Sequence, residues 1–208
     1  MTAIDTYPSD VAFTPAVKAI QARKGSREAY GRVEQRGWRT EVDENLEAFL
    51  ADANSFYFAT ASAEGQPYIQ HRGGPKGFLK VLDKQTLAFA DYAGNQQYLT
   101  QGNLSENPKA YIFVMDYTHR RRVKIWGEAR VVEDDDAMTD ALMPKGYRAR
   151  PEQVILFRIA AWDTNCPQHI PQKFEAADVA AALAAKDQRI AELEAEVAAL
   201  KGEKAAAS

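Results

Sequence analysis

The chain has 208 residues, ordinary apolar and charged fractions, and a formal net charge of −3 at pH 7. This charge balance argues against electrostatically driven nucleic-acid binding, and no apolar run is long enough to span a bilayer. The first ten residues lack a charged-then-apolar leader, and the single cysteine, Cys166, cannot form an intrachain disulfide. We therefore expect a cytoplasmic protein with one main domain.

Residues 1–54 are predicted to form an N-terminal helical segment. Thr14 precedes Pro15 and is a typical helix cap. Asp43 is predicted to cap a second helix, whose apolar face consists of Leu46, Phe49 and Leu50. The polar and basic residues 26–39 give no firm prediction.

Short β-rich runs separated by turn residues follow from Ser55 onward. Their spacing predicts six or seven strands in an antiparallel barrel or sandwich, and a barrel would remove the exposed edges. The barrel domain is predicted to cover residues 55–174. The runs are residues 55–62, 67–72, 76–82, 86–92, 110–117, 122–132 and 153–163.

Residues 175–208 are rich in alanine, glutamate and lysine and predict a C-terminal amphipathic helix. Its apolar residues follow a heptad repeat that favours a parallel coiled-coil dimer, with Lys186 interrupting the early part. A single amphipathic helix lying on its own domain is the alternative interpretation. The heptad residues are Leu183, Ile190, Leu193, Val197 and Leu200.

The glycine-rich stretch between Arg72 and Lys80 is a candidate phosphate site. Consecutive glycines allow backbone N–H groups to approach a ligand, and Arg72, Lys76 and Lys80 supply positive charge. The alternative is an ordinary glycine-rich turn with solvated basic residues.

The segment from Asp91 to Pro108 is dense in amide and hydroxyl side chains. Such groups donate directional hydrogen bonds to a ring edge or a phosphate without adding charge. A capped helical connection between two strands is equally compatible with this composition. The polar residues are Asn95, Gln96, Gln97, Thr100, Gln101, Asn103 and Ser105.

Two further stretches of the sequence are candidate sites. In residues 118–127, strand alternation turns Arg122, Lys124 and Trp126 away from the core, but the acidic chain disfavours RNA binding. Cys166 and His169 are three apart, yet nothing directs them toward each other, and the scattered histidines do not predict a zinc site. The stretch that contains Cys166 and His169 is either a loop that closes over a neighbouring pocket or a proline-braced surface loop.

The order of these segments closely resembles the pyridoxamine 5′-phosphate oxidase-related FMN-binding split-barrel family, in its branch of predicted flavin-nucleotide-binding proteins. The resemblance spans residues 13–174 and rests on RGGPKGFLKVLDKQTLAFADYAGN, GNLSENPKAYIFVMDY, RRRVKIWGEARVV and WDTNCPQHI. It implies a mainly β fold, a six-stranded antiparallel split barrel, flanked here by N-terminal helices and a C-terminal coiled-coil-like helix. It also implies a two-fold homodimer with one FMN at each end of the interface.

The resemblance further implies which residues hold the FMN. The family's basic-ended strand matches Lys76 to Lys80, and Arg122 stands where the oxidases place a glutamine near the isoalloxazine ring. The family's Ser-Arg-Lys run is replaced here by Asn95 and, after an insertion, Thr100 and Asn103. The cofactor-binding residues expected are Arg72, Gly74, Lys76, Gly77, Phe78, Lys80, Asp91, Asn95, Thr100, Asn103, Arg122, Gln168 and His169.

The C-terminal end departs from the true oxidases, whose last strand carries substrate-binding arginine and histidine. After Trp162 this chain continues into NCPQHI and a helix, so pyridoxamine phosphate oxidation is not predicted. We expect an FMN-dependent oxidoreductase acting on an unidentified small molecule, without an assigned catalytic residue or metal. A non-catalytic flavin-binding sensor or carrier is the alternative, and a β-barrel adaptor without a cofactor is the third.

Overall fold

The computed structural model describes residues 7–164 and 167–206. The helices are a 3₁₀ turn at Pro8–Val11, α1 (Pro15–Arg23), α2 (Arg27–Arg36), α3 (Glu44–Asp52), α4 (Leu99–Glu106), α5 (Asp136–Leu142) and α6 (Ala176–Ala206). The strands are β1 (Ser55–Ala61), β2 (Pro67–Gly73), β3 (Lys80–Asp83), β4 (Thr86–Tyr92), β5 (Lys109–Asp116), β6 (Arg121–Val132) and β7 (Pro151–Thr164). These residues form two units: one holds all these strands, and the other comprises Tyr117–Arg120 with the described residues from Gln168 onward.

The strands form one antiparallel sheet in the order β2-β1-β5-β6-β7-β4-β3. The expected mainly β fold is confirmed, but the count of six strands is wrong because the sheet has seven. The short strand β3 pairs only with β4 at one edge. Each β-rich run of the sequence therefore contributes a strand.

The sheet is curled, yet it does not close into the expected barrel by backbone pairing. Among the described residues no β-ladder joins the edge strands β2 and β3. The rings of Phe56 and Phe58 on β1 nevertheless lie 5.1 and 5.8 Å from the ring of Phe89 on β4. Because three strands separate β1 from β4 in the sheet, only strong curvature brings these rings together. Side chains, rather than a ladder, connect the two ends.

The core lies inside the curl, where one face of each strand is buried. Burial alternates along β1 and along most of β6, as expected for strands with one apolar face. Helix α3 adds Leu46 and Leu50, which are 1% and 0% exposed. Each such leucine contributes roughly 1.5–3 kcal/mol to stability by burial.

The predicted helix caps are confirmed. The side chain of Thr14 accepts a hydrogen bond from the N–H of Val17 at the start of α1, and Asp43 accepts one from Leu46 at the start of α3. Both bonds satisfy backbone donors that the first helical turn leaves unpaired. The two helices therefore begin where their capping residues predict.

Helix α2 occupies most of residues 26–39, for which no firm prediction was possible. Its Glu34 is buried, with 4% exposure, and is paired with Arg27 and with Lys18 at 3.1 Å. Gln21 on α1 also accepts a hydrogen bond from Arg27. This polar cluster, rather than an apolar stripe, joins α1 to α2, and hydrophobic periodicity cannot reveal such an arrangement.

The segment between α2 and α3 is attached to the last strand. Arg39 forms an isolated antiparallel bridge with Trp162, whose backbone N–H donates to the Arg39 carbonyl at 2.8 Å. The indole Nε1 of Trp162 donates to the carbonyl of Glu41, also at 2.8 Å. The N-terminal segment is thus bonded directly to the sheet.

The second unit contains α6 and the residues that precede it. The hydroxyl of Thr118 donates to the carbonyl of Lys173 at 3.1 Å, and Gln172 donates to the carbonyl of Thr118 at 2.8 Å. The predicted C-terminal helix is present as α6. Within the described residues, no helix has the length and apolar character required to cross a membrane.

Candidate functional site

An ion pair between Arg72 on β2 and Asp91 on β4 lies across the open gap of the sheet. Nη1 of Arg72 donates to Oδ1 of Asp91, and the two side chains are only 12% and 10% exposed. Since β2 and β4 are not neighbours in the sheet, the pair bridges strands that no ladder connects. A pair so far removed from water holds the guanidinium in a defined orientation.

The second oxygen of Asp91 is also engaged. Gln153 lies opposite Asp91 in the β4–β7 ladder and donates from Nε2 to Oδ2 at 3.0 Å. Both carboxylate oxygens therefore accept a hydrogen bond, one from Arg72 on β2 and one from Gln153 on β7. Asp91 positions Arg72 rather than presenting an unengaged carboxylate to a ligand.

Thr100 connects the same arginine to helix α4. Nη2 of Arg72 donates to the Thr100 hydroxyl at 3.3 Å, and this hydroxyl donates to Oε1 of Gln70 at 3.2 Å. Gln70 precedes Arg72 by two residues on β2, so both side chains project from the same face. The residue before the helix, Tyr98, has a left-handed conformation with φ of +53°.

A polar recess opens beside this network. Nε of Arg72 is buried and has no hydrogen-bond partner among the described residues. A guanidinium carries five N–H donors in a planar fork that matches phosphate, and two of its nitrogens are engaged here by Asp91 and Thr100. The recess therefore combines an incompletely hydrogen-bonded guanidinium with the carboxylates of Asp91 and Glu152. Its lining consists of Tyr68, Gln70, Arg72, Asp91, Tyr92, Gly94, Asn95, Gln96, Gln97, Tyr98, Leu99, Thr100, Gln101, Glu152 and Gln153.

Four of the predicted cofactor residues come together in this recess: Arg72, Asp91, Asn95 and Thr100. Oδ1 of Asn95 accepts a hydrogen bond from the N–H of Gln97 at 3.3 Å, which shapes the loop before α4. Sequence reasoning missed the two glutamines of the network. Gln153 could have been noticed as a polar residue at the start of the apolar run of β7. Gln70 could have been noticed as an amide two residues before Arg72.

The glycine-rich turn has a structural role. The N–H of Gly74 donates to the carbonyl of Asn54 at 3.0 Å, and that of Gly77 donates to Ala53 at 2.9 Å. Phe78 is buried in the core, with 2% exposure. These two N–H groups, predicted to approach a ligand, instead fasten the turn to the end of α3. The buried ring of Phe78 is likewise explained by packing.

The remaining predicted residues of the sheet unit lie outside the recess lining. Nζ of Lys76 is 2.6 Å from Oδ1 of Asp52, and both side chains are more than half exposed. Lys80 opens β3, and Nδ2 of Asn103 donates to the hydroxyl of Thr60 at 2.9 Å. Contacts of Lys76, Lys80 and Asn103 with a cofactor stay predictions.

The outer face of β5 and β6 carries an aromatic and cationic cluster. The Trp126 ring stacks on Trp38 at 4.9 Å and contacts Tyr111 at 5.1 Å, with Nζ of Lys124 lying 5.2 Å from the Trp126 ring centroid. The buried Nε of Arg122 has no hydrogen-bond partner among the described residues. As predicted, this face alternates with the buried face of β6.

Tyr111 in this cluster provides a test of burial by pH. Burial, and less strongly Asp163, raises the pKa of its phenol to about 12, although Arg122 opposes the shift. The folded protein therefore retains a proton that the unfolded chain releases near its ordinary pKa of 10.0. We expect the free energy of unfolding to decrease as the pH rises from 10.0 to about 12. The Tyr111→Phe variant should lose the last phase of a phenolate absorbance titration, and an unchanged titration would contradict this assignment.

Gln168 and His169 belong to the second unit, and His169 has a left-handed φ of +62°. Their predicted place over the flavin stays a prediction. Cys166, which the sequence gives no reason to pair with His169, lies outside the described residues.

The sequence of the sheet unit matches a known protein family. The family model described as pyridoxamine 5′-phosphate oxidase matches residues 42–166, so the chain belongs to this family. No curated protein in the comparison matches the chain.

The chain is similar to several solved structures at low sequence identity. HupZ of Group A Streptococcus is 16% identical, with a TM-score of 0.50 over 64% of this chain and 99% of its own. A protein related to general stress protein 26, of the pyridoxinephosphate oxidase family from Clostridium acetobutylicum, is 12% identical with a TM-score of 0.44, covering 66% and 99%. The FAD binding protein from Mycobacterium smegmatis is 14% identical with a TM-score of 0.41, covering 61% and 97%.

Proposed function

We propose that the chain is a flavoprotein that binds FMN, with the FMN phosphate in the recess beside Arg72, and that it is an oxidoreductase acting on a small molecule. The observation that carries the proposal is the buried guanidinium of Arg72, which has an unpartnered Nε among the described residues. Membership of the pyridoxamine 5′-phosphate oxidase family supports it. Pyridoxamine phosphate itself is not proposed as the substrate, because the substrate-binding end expected of the oxidases is replaced in this sequence.

The charges of the recess define how a phosphate would be held. Asp91 balances the single positive charge of Arg72, and Glu152 also lines the recess, so the phosphate would depend on the remaining N–H donors of the guanidinium and on neutral donors. The side-chain amides of Asn95, Gln96 and Gln97, in the loop before α4, would supply the latter. Asp91 accepts hydrogen bonds from both Arg72 and Gln153, and these bonds keep the guanidinium in one orientation. The charge of Asp91 is balanced by Arg72, so the carboxylate requires no further counter-ion.

The flavin would supply the redox chemistry, and the protein would bind it and adjust its electron affinity. For the ring we propose the outer-face residue Arg122, whose positive charge would favour the reduced form. Support comes from the buried Nε of Arg122, which has no hydrogen-bond partner among the described residues, and from the neighbouring Tyr111 and Trp126, which offer aromatic surface.

A titration with paired ligands tests the binding. Purified protein freed of ligand is titrated with FMN and with riboflavin, which lacks the phosphate, and the quenching of flavin fluorescence is measured. We expect the Kd for FMN to be at least about tenfold lower than the Kd for riboflavin, because riboflavin has no phosphate to accept charge-assisted hydrogen bonds. FAD and a deazaflavin, measured in the same way, determine which flavin is preferred.

The variant Arg122→Ala separates the ring from the phosphate. It should weaken FMN and riboflavin by the same factor, since both ligands share the ring. Failure of every flavin to bind would overturn the proposed function and favour a β-sheet adaptor without a cofactor. Equal affinity for FMN and riboflavin would overturn the assignment of the recess to the phosphate.

A non-catalytic flavin carrier or sensor is the second candidate. The described residues that line the recess include no histidine, cysteine or lysine, and Asp91 is fully engaged. This composition offers few groups for general acid–base catalysis. Turnover with a nicotinamide donor and a panel of acceptors distinguishes the candidates: a flavin-loaded protein that is not reduced by any donor supports the carrier.

A further inference from the structure

Helix α6 presents an apolar stripe that no described residue of its own unit covers. All its described side chains are exposed, up to Gly202. The apolar members of the stripe are at least 42% exposed, which is unusual for large side chains repeated on one helix. They are Val179, Leu183, Ile190, Leu193, Val197 and Leu200.

The spacing of the stripe specifies its partner. Ile190 and Val197 are seven residues apart, at a positions, and Leu193 and Leu200 follow each by three, at d positions. β-Branched residues at a with leucine at d favour two parallel strands. The stripe is narrow, as in a coiled-coil seam, rather than the broader face that packs on a globular core.

We propose that α6 pairs with α6 of a second copy of this chain as a parallel two-stranded coiled coil. In that arrangement Arg189, at a g position, faces Glu194 of the partner subunit at e, and Glu196 faces Lys201 of the partner subunit. Both interhelical pairs bring opposite charges together, and the two-fold symmetry of the dimer produces a second copy of each pair. The seam and the flanking charges thus agree on the same partner and direction.

An antiparallel pairing is disfavoured by the same residues. Stacking Ile190 on Leu200 of the partner subunit would place the two copies of Glu194 opposite each other near the centre. The two copies of Glu196 would meet on the other side. Like charges facing each other are destabilising, so the charge pattern discriminates against this direction.

Two features limit the stability of the pairing. Nη1 of Arg189 already lies 2.9 Å from Glu192 within the same helix, but both side chains are at least half exposed, so this bond is weak and exchangeable. Lys186 occupies a d position, which leaves the seam from Ile190 to Leu200 as the apolar part. A method that traps weak pairing is therefore the appropriate test.

Disulfide capture in the full-length protein provides this test, with all variants carrying Cys166→Ser. In a parallel pair the two copies of a d residue face each other, so Leu193→Cys should form an intermolecular disulfide under mild oxidation. The matched control is Ala195→Cys, at an outward f position, which should be captured several-fold less. Equal capture of both variants would overturn the proposal. So would capture only when Leu193→Cys is mixed with Val197→Cys, the result expected of antiparallel helices.

A charge exchange tests the crossing ion pairs. In the Leu193→Cys background, Arg189→Glu should lower the captured fraction several-fold, because it opposes Glu194 of the partner subunit. Glu194→Arg should do the same, and the two together should restore capture by reversing the pair. A double variant no better than either single one, at unchanged helical content, would refute the proposed register. None of these outcomes depends on flavin binding.

Discussion

The Gly127→Ala variant is expected to lose about 3 kcal/mol of stability or more, because the added methyl group has no space. A Cβ at this position would lie 2.1 Å from the carbonyl oxygen of Arg158 and 2.6 Å from the ring of Phe157. The carbonyl belongs to the adjoining strand β7, so it cannot rotate away as a flexible side chain would. Gly127 also follows the irregularity in the β6–β7 register, where the two backbones approach closely.

Urea unfolding followed by circular dichroism measures this effect. The matched control is Gly102→Ala in helix α4, where nothing lies within 4 Å of the new Cβ. That control should gain about 0.5–1 kcal/mol, since alanine is the better helix former. An unfolding midpoint for Gly127→Ala equal to that of the unsubstituted protein would show that the two strands can separate at little cost.

The Arg72→Met variant should lose both stability and the preference for FMN. Asp91 would remain buried without its cation, and breaking a buried pair in this way costs about 3–5 kcal/mol. FMN affinity should fall to that of riboflavin, because the recess would lack its cationic phosphate donor. Chemical unfolding and the paired flavin titration measure the two effects separately.

Two further variants separate the loss of an ion pair from the loss of a ligand contact. Lys76→Met removes the same charge from an exposed pair with Asp52 and should cost at most about 1 kcal/mol. The double variant Arg72→Met with Asp91→Leu should regain stability, since no buried charge is left unpaired, while FMN affinity stays low. If FMN affinity returned with stability, Arg72 would act on the fold alone.

Much of the sheet can be predicted from the sequence because local chemistry sets it. Alternating apolar residues mark β1 and β6, and Thr14 and Asp43 mark helix starts through their own side chains. The seven β-rich runs indicate the seven strands, whereas the closure of the sheet depends on its curvature, which no local pattern encodes. Helix α2 escaped prediction because a buried glutamate and its cations join it to α1.

The recess is only partly readable from the sequence. Arg72 and Asp91 stand out as charged residues at strand ends, but their pairing spans the open gap of the sheet and links distant strands. The role of Gln153 could not be predicted, because its hydrogen bond to Asp91 depends on the β4–β7 ladder that places the two residues opposite each other. Conversely, the glycines near Lys76 resemble a ligand-binding turn, although the N–H groups of Gly74 and Gly77 bond to the end of α3.

The bond between Trp162 and the carbonyl of Glu41 spans 121 residues of sequence, and this separation constrains the order of folding. During synthesis, the early helices emerge long before the strand to which this segment is fastened. Contacts of such long range are slow to form, because the intervening chain must first be ordered. The bond to Glu41 can therefore form only after Trp162 of β7 has been synthesised. The sheet unit becomes complete only when its last strand arrives.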